Sequence, residues 1–207
     1  MKPFSILLVA ALGLSGYTCR GQQTTSEVPD APTVQASKPA GPLYSPPTQG
    51  ERFKSYLKHT YWIGSILEAG ARAGIEQARD NPSQWPQGGQ GYADRFGSDM
   101  GEIAIRGTTE YLVADMFKED LRFIPCRSAC SESAFKRALE DTFTARKGDD
   151  GHRAFSVARL VGPVSGSAVA IDTWYPKGLG GAEIARHVGF SYGFSFIRNY
   201  LREVSAH

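Results

Sequence analysis

The sequence predicts an all-α fold: a compact bundle of about five helices that follows a signal peptide and a disordered Pro-rich tether. Three observations support this prediction. Five segments after residue 50 carry apolar residues at helical spacing, four Gly-x-x-x-Gly pairs lie inside those segments, and the chain before residue 51 lacks this periodicity. The expected boundaries are 1–21 for the signal peptide, 22–50 for the tether and 51–207 for the helical domain.

The first residues have the layout of a secretory signal. Lys2 gives a positive start, residues 4–14 are almost entirely apolar, and small residues lead towards Cys19. This order is typical of a signal peptide, and the run is shorter than the roughly 20 residues of a membrane-spanning helix. We expect export to the periplasm, the outer membrane or the extracellular space. Cleavage near residues 21–23 is preferred to lipid anchoring at Cys19, because Tyr17 is too bulky for a lipidation site.

The next segment has the composition of a tether. Residues 22–50 hold six of the twelve prolines and show no apolar periodicity, so they are expected to remain disordered. Outside the signal, whose basic residues are Lys2 and Arg20, the chain has 21 basic and 21 acidic side chains. This balance predicts no basic surface for nucleic acid, and no nucleic-acid partner is expected.

Helical spacing indicates five helices, at residues 52–79, 92–118, 131–146, 153–174 and 181–204. Pro82 ends the first because the residue before a proline is disfavoured in a helix. Ser131 is the predicted N-cap of the third. Residues 148–151, Gly-Asp-Asp-Gly, form the turn that follows it.

Glycines four residues apart recur in these helices. Each pair places its glycines on one helix face, where a neighbouring backbone can approach closely. We expect these faces to pack helices together or to form a homo-oligomer. Ala158 and Ala170 extend one pair into a longer ridge. The pairs are Gly70 with Gly74, Gly97 with Gly101, Gly162 with Gly166, and Gly189 with Gly193.

One stretch also fits a strand. Residues 190–196 alternate aromatic and small side chains, which is typical of an outer-membrane β-barrel. The helix is preferred because the same stretch places Phe190, Phe194, Ile197 and Leu201 on one helical face, and because the other long segments do not alternate.

No motif for catalysis, cofactor binding or metal ligation stands out, so enzyme activity is left open and no cofactor or metal is expected. Cys126 and Cys130 indicate a short-range disulfide in an exported protein, with free thiols and a redox-active pair as alternatives. Glu183 and His187 lie four residues apart and could bind metal or transfer protons, but an ordinary surface pair is preferred.

Five charged residues in otherwise apolar surroundings are candidates for a cleft between helices. Such residues form either internal ion pairs, which can mark a functional cleft, or surface pairs. The candidates are Glu102, Arg106, Arg159, Asp172 and Arg186.

A set of landmarks lies in three segments: residues 84–98, residues 118–125 with the motif Glu-Asp-Leu-Arg-Phe, and residues 154–176 with the motif Trp-Tyr-Pro. With them the chain resembles a group of exported bacterial proteins that have no assigned activity. The resemblance covers most of residues 53–204. It implies export and a single domain, and it assigns no site residue.

The sequence leaves two classes of function open. The preferred one is a non-enzymatic protein of the cell envelope or a membrane surface, structural or binding, with a membrane surface, an envelope partner or a second copy as its partner. The alternative is a small envelope hydrolase or ligand-binding protein with a charged interhelical cleft. Convergence of Glu102, Arg106, Arg159 and Asp172 on an open pocket would favour the alternative.

Overall fold

The computed structural model describes residues 44–125, 132–148 and 150–206. These residues form a helical bundle with a small three-stranded sheet, which confirms the all-α prediction. The helices are α1 (Gln49–Tyr61), α2 (Ile63–Ala78), α3 (Gly89–Met116), α4 (Ala134–Phe143), α5 (Val157–Thr173) and α6 (Gly181–Ser205). The strands are β1 (Glu119–Asp120), β2 (Thr144–Lys147) and β3 (His152–Phe155). The predicted signal peptide, most of the predicted tether, Cys126 and Cys130 lie outside the described residues.

The first predicted helix, 52–79, is divided into α1 and α2. α1 begins with a capping box, in which the Thr48 hydroxyl accepts the Glu51 amide and the Glu51 carboxylate accepts the Thr48 amide. At Trp62 the backbone is extended (φ −88°, ψ 171°), so the helix stops there before α2 starts. Trp62 is neither glycine nor proline, and the usual helix-stop residues therefore do not predict this break.

A buried arginine organises the connection between α2 and α3. The Arg95 guanidinium is fully buried and donates to the carbonyls of Asn81, Pro82, Pro86 and Gly91. Only glycine fits at position 91, because a Cβ there would lie 1.6 Å from the Pro86 carbonyl oxygen. Hydrogen bonds rather than apolar contacts thus fix how the chain enters α3.

The predicted third and fourth helices, 131–146 and 153–174, are too long because a β-hairpin separates them. β2 pairs antiparallel with β3, with Thr144 opposite Phe155, and β1 pairs antiparallel with the other edge of β2. The residues that the helical spacing assigned to one end of each helix therefore lie in strands.

Side-chain caps begin α4 and α5. Ser133 caps α4, whereas the predicted cap, Ser131, lies outside the described residues. At α5 the carboxylate of Glu119 in β1 accepts the Ser156 hydroxyl at 2.6 Å and two amides of the first turn. A carboxylate is stabilised at a helix N-terminus, so Glu119 joins the sheet to the bundle.

α5 packs closely on α3 through one of the predicted glycine pairs. A Cβ on Gly162 would lie 2.4 Å from Cγ of Glu110, and a Cβ on Gly166 would lie 2.8 Å from the carbonyl oxygen of Glu102. α5 also contacts α6, but this glycine seam faces α3.

The other three glycine pairs do not form such a seam. A Cβ on Gly70 would lie 3.3 Å from the Tyr92 hydroxyl, and a Cβ on Gly101 would lie 3.2 Å from the Trp174 ring. Gly74, Gly97, Gly189 and Gly193 meet nothing within 4 Å. Among the four predicted packing faces, only the pair Gly162 and Gly166 therefore has both of its glycines packed closely against another helix.

The alternating stretch 190–196 lies within α6, which confirms its helical interpretation. α6 ends one residue beyond the predicted end. Across the described ranges, no helix has both the length and the apolar content needed to cross a bilayer.

The described interior is polar, whereas the outer helix faces carry large apolar side chains. Twenty-one polar or charged residues are buried against ten apolar ones, and seven of those ten are alanines. By contrast, Leu67 is 65 % exposed and Leu201 is 61 % exposed. The charged side chains inside the bundle are therefore the candidates for a functional site.

Candidate functional site

Two groups of charged side chains lie inside the bundle. The first, here called the ionic cluster, joins α2, α3 and α6; it consists of Arg72, Glu76, Asp99, Glu102, Arg186 and His187. The second, here called the arginine cavity, is open to solvent and includes about 900 Å³ of space when its mouth is counted. Its arginines are Arg52, Arg122, Arg159, Arg198 and Arg202, and its carboxylates are Glu110, Glu119 and Asp120.

Arg72 is the centre of the ionic cluster. Its Nη2 atom lies 3.0 Å from Asp99 Oδ1 and 2.9 Å from Glu102 Oε2, and all three side chains are buried. Burial disfavours the charged guanidinium, but the two carboxylates outweigh that effect and raise the pKa of Arg72. Arg72 is therefore a permanent buried cation shared between two acids.

His187 connects Glu102 to Glu76. Its Nδ1 atom lies 2.7 Å from Glu102 Oε2, and its Nε2 atom lies 3.4 Å from Glu76 Oε1 and 3.0 Å from Arg186 Nη2. Burial would raise the pKa of Glu102, but the hydrogen bond from His187 and the charge of Arg72 lower it to about 2. The tautomer with its proton on Nδ1 donates to the ionised Glu102 and carries a lone pair on Nε2, although Arg72 Nη2 lies 3.0 Å from the same Nδ1.

Two acids of the cluster retain unsatisfied oxygens. Asp99 Oδ2 and Glu76 Oε2 are buried and receive no hydrogen bond within the described part of the chain. Burial raises the pKa of both carboxyl groups, that of Asp99 to about 8, although Arg72 opposes this shift. Arg72 Nε and Nη1 and Arg186 Nη1 are also buried without a hydrogen-bond partner in the described chain, so the donors and acceptors of the cluster do not satisfy one another in this geometry.

Glu68 lies between the two groups. Its Oε1 atom lies 2.9 Å from Arg106 Nη1, and its Oε2 atom lies 3.3 Å from Arg198 Nη1, which belongs to the cavity. One carboxylate thus contacts an arginine beside the cluster and an arginine of the cavity.

Three arginines give the cavity its excess of positive charge. Arg159 donates to backbone carbonyls of Asp141 and Leu121, and the guanidinium of Arg202 lies 5.6 Å from the centre of the Phe123 ring. Among the described residues, no carboxylate lies within ion-pair distance of Arg159 or Arg202. Arg198 has only the long contact with Glu68 as an ion pair.

The pKa shifts around the cavity agree with this excess. Burial, together with Arg198 and Arg202, lowers the pKa of His59 to about 3. Burial and the charges of Arg198 and Arg159 lower the pKa of Arg202 to about 10. Burial raises the pKa of Glu110 against the opposing charges of Arg106, Arg159 and Arg198. The shifts of His59 and Arg202 thus agree with an excess of positive charge, whereas that of Glu110 follows from its burial.

Aromatic rings form the apolar part of the lining. The rings of Tyr56 and Tyr111 are 5.1 Å apart between centroids, and Phe123 and Tyr192 line other parts of the wall. The cavity therefore offers charged and apolar surfaces to one bound molecule.

The structure separates the five residues proposed from the sequence. Glu102 and Arg186 lie in the ionic cluster, Arg106 is buried beside it on Glu68, and Arg159 lines the cavity. Asp172 is exposed at the end of α5. They do not converge on one pocket.

The preferred surface interpretation of Glu183 and His187 is wrong for the histidine, which is fully buried. The sequence argument also missed Arg72, Glu76 and Asp99. A signal was present, because Glu68, Arg72 and Glu76 follow one another at four-residue spacing on α2.

Comparisons of the chain with protein-family models, curated proteins and solved structures found no match. The resemblance to exported bacterial proteins stays a prediction. The function is therefore argued from the geometry of the two charged groups.

Proposed function

We propose that the protein is an exported binding protein of the cell envelope whose arginine cavity holds an organic anion, a carboxylate or phosphate ester with an apolar tail. The observation that carries this proposal is the excess of guanidinium groups over carboxylates in an open cavity. Arg159 and Arg202 face that cavity without a carboxylate partner in the described chain. Guanidinium groups bind carboxylates and phosphates through paired, charge-assisted hydrogen bonds.

The donors left over in the cavity support an anionic ligand. Arg159 and Arg198 line the cavity, and their buried Nε atoms donate to no described residue, so an anion would have to displace these side chains slightly to reach them. Each unpaired donor of a buried cation costs free energy that an anion recovers on binding. The aromatic rings of Tyr56, Tyr111 and Phe123 would contact the apolar part of the same ligand.

Binding is favoured over hydrolysis by the environment of His59, the histidine of the cavity. Its ring has no hydroxyl or carboxylate within hydrogen-bond distance in the described residues, and a pKa of about 3 makes it a weak base at neutral pH. General bases work best with a pKa near the operating pH.

The test is calorimetric titration of the full chain with octanoate, octyl phosphate and octanol. We expect the two anions to bind and octanol to bind at least about tenfold more weakly, because a lost charge-assisted hydrogen bond costs about 1.5–3 kcal/mol. Arg202→Gln should weaken anion binding by a similar factor, whereas Arg79→Gln, a change on the exposed end of α2, should not. Equal binding of octanol and octanoate would contradict the proposal.

Export is a separate part of the proposal, supported by the charge and apolar layout of residues 1–21. The mature chain is expected to begin between about residues 19 and 24, which N-terminal sequencing of the exported protein measures. Release from membranes by Cys19→Ser would indicate lipid anchoring instead of simple cleavage. Intact Met1 on cytoplasmic protein would contradict export.

A second function, attachment to a membrane surface, is favoured by the exposed junction of α1 and α2. There Trp62 is 62 % exposed, Ile63 56 % and Leu67 65 %. Contiguous exposed apolar groups mark interaction surfaces, and tryptophan favours the lipid interface. Vesicle co-sedimentation should fall for Trp62→Ser with Leu67→Ser but not for Phe155→Ser, an exposed aromatic of the sheet. Equal co-sedimentation of all three proteins would exclude this junction as the attachment surface.

Self-association is the remaining partner proposal, supported by the open glycine face of α6. Gly189 and Gly193 have space for a second copy of the chain. Sedimentation velocity of Gly189→Leu tests it, since a bulky side chain should dissociate an oligomer that uses this face. A monomeric wild-type protein would rule it out.

A further inference from the structure

The ionic cluster holds the donor atoms of a metal site. One oxygen each of Glu76 and Asp99 and one ring nitrogen of His187 lie within 4.8 Å of one another, and all three residues are buried. They come from α2, α3 and α6, so one ion would join three helices. We propose that Glu76, Asp99 and His187 bind a divalent transition-metal ion, for which Zn²⁺ suits the mixed nitrogen and oxygen donors.

Unsatisfied oxygens point to a cation at this place. Asp99 Oδ2 and Glu76 Oε2 have no hydrogen-bond donor among the described residues, although both side chains are fully buried. Leaving a buried carboxylate oxygen without a partner is costly. A metal ion satisfies several carboxylate oxygens at once, which no single donor on the neighbouring side chains does.

The histidine is oriented as a metal ligand. Glu102 Oε2 lies 2.7 Å from Nδ1 of His187, so the tautomer with its proton on Nδ1 donates to Glu102 and directs the lone pair of Nε2 towards Glu76 Oε1, 3.4 Å away. Metal-binding histidines are commonly fixed in this way by a carboxylate on the second ring nitrogen. Glu102 is therefore a positioning residue, and it also holds Arg72.

Charge balance favours a divalent ion. Arg186 is the one cationic side chain of the cluster that reaches solvent, and it also pairs with Glu183 at the rim. If Arg186 keeps only Glu183, the three buried carboxylates face Arg72 alone. With all three carboxylates deprotonated, as metal ligation requires, the remaining charge of −2 is that which a divalent ion neutralises.

Arg186 competes with the ion for the same ligands. Its Nη2 atom lies 3.0 Å from His187 Nε2 and 3.4 Å from Glu76 Oε1. Donors about 2.1 Å from a tetrahedral zinc ion lie about 3.4 Å apart, so ligand atoms that are up to 4.8 Å apart must close by up to about 1.4 Å as Arg186 moves outwards. Removing the guanidinium should therefore strengthen metal binding.

The experiment measures zinc in the full chain carrying Cys19→Ser, Cys126→Ser and Cys130→Ser, which removes all three thiol ligands. After treatment with a chelator, the protein is titrated with Zn²⁺ by calorimetry and its zinc content is measured after dialysis. We expect one zinc ion per chain. His187→Gln should abolish it, Glu102→Gln should weaken it by about 10- to 100-fold, and Arg186→Met should strengthen it.

The control is His152→Gln. His152 Nδ1 lies 2.8 Å from Asp150 Oδ1 on the exposed hairpin turn, so this pair represents adventitious surface binding. Zinc uptake that depends on His152 but not on His187 overturns the proposal. So does a chain that takes up no zinc, the result expected if protons alone neutralise Glu76 and Asp99.

Arg186→Met keeps the test decisive if the variants of buried residues do not fold. Arg186 is partly exposed, so its replacement should leave the fold intact, and a zinc affinity that does not rise would also overturn the proposal. Octanoate binding, measured on the same samples, separates this site from the arginine cavity, because failure of one does not entail failure of the other.

Discussion

The ionic cluster and the arginine cavity use the same residue types with opposite results. In the cluster three carboxylates face two arginines, and Arg72 is sealed from solvent. In the cavity arginines outnumber carboxylates, and the space is open. A closed site with excess negative charge must take protons or a metal ion, whereas an open site with excess positive charge can take an anion from solution.

The comparison also explains how one small bundle tolerates both groups. Glu68 contacts Arg106 beside the ionic cluster at 2.9 Å and Arg198 of the arginine cavity at 3.3 Å. Its carboxylate therefore balances positive charge where the two groups adjoin. Arg159 and Arg202 of the cavity have backbone carbonyls or an aromatic ring as partners instead. The cluster is therefore expected to govern stability, and the cavity to govern binding.

The largest expected effect comes from Arg72→Met. The substitution leaves Asp99 and Glu102 buried without their shared cation, and breaking such a pair costs about 3–5 kcal/mol. Urea unfolding at pH 7 measures the free energy of unfolding. The matched control, Arg79→Met on the exposed end of α2, should change it by less than about 0.5 kcal/mol. A loss below about 1 kcal/mol for Arg72→Met would mean that the cluster does not govern stability.

The fold class was predictable because helical spacing extends over long segments. α3 and α6 begin and end within a few residues of the predicted bounds. The short strands were missed because β2 and β3 have four residues each and directly adjoin α4 and α5, so no separate strand period is visible. The division of α1 from α2 at Trp62 was missed because no stop residue marks it.

The charged groups were only partly predictable. Helical spacing shows that a helix has two faces but not which face is buried, and the usual expectation places the apolar face inside. Here Glu68, Arg72 and Glu76 of α2 lie inside, while Ile66 and Leu67 are exposed. Pairing across α2, α3 and α6 makes this arrangement tolerable, and pairing between helices cannot be derived from the spacing within one of them.

The glycine seam between α3 and α5 contacts both groups, because Gly162 faces Glu110 of the cavity and Gly166 faces Glu102 of the ionic cluster. Substitutions at these glycines therefore test whether close packing of the two helices supports both groups. Gly166→Ala would bring Cβ within 2.8 Å of the carbonyl oxygen of Glu102, and relieving that overlap should cost about 1–3 kcal/mol. Gly189→Ala faces open space and should stabilise α6 by up to about 1 kcal/mol. Thermal unfolding measures both changes. A stabilised Gly166→Ala would show that α3 and α5 are not in close contact.

The charge of the cavity should appear in the pH dependence of stability through His59. Its pKa is about 3 in the folded protein, because of burial and of Arg198, Arg202, Arg159 and Lys58, against about 6.5 when unfolded. Between these values the unfolded chain binds a proton that the folded chain does not, so stability falls as pH falls below about 6.5.

The measurement compares wild type with His59→Gln at pH 7.5 and pH 5. We expect the free energy of unfolding of the wild type to fall by about 1 kcal/mol more than that of the variant over this range. This is less than the full linkage for the 1.5 pH units between about 6.5 and 5, because His59 is only partly buried. Equal losses would indicate that His59 protonates in the folded protein and that the cavity carries no excess positive charge.

The smallest expected effect has the opposite sign from that of Arg72→Met. Arg202 is repelled by Arg198 and Arg159 and has no ion-pair partner among the described residues, so Arg202→Met should raise the free energy of unfolding by up to about 0.5 kcal/mol. Methionine keeps a contact with the Phe123 ring and thus offsets the lost cation–π interaction. The gain should be largest at low salt, because added salt screens the repulsion that the wild type retains. Urea unfolding at low and high salt measures it, with Lys54→Met on exposed α1 as the control. A loss above about 1 kcal/mol would show that Arg202 is held by favourable interactions, and the functional contrast between the two regions would then disappear.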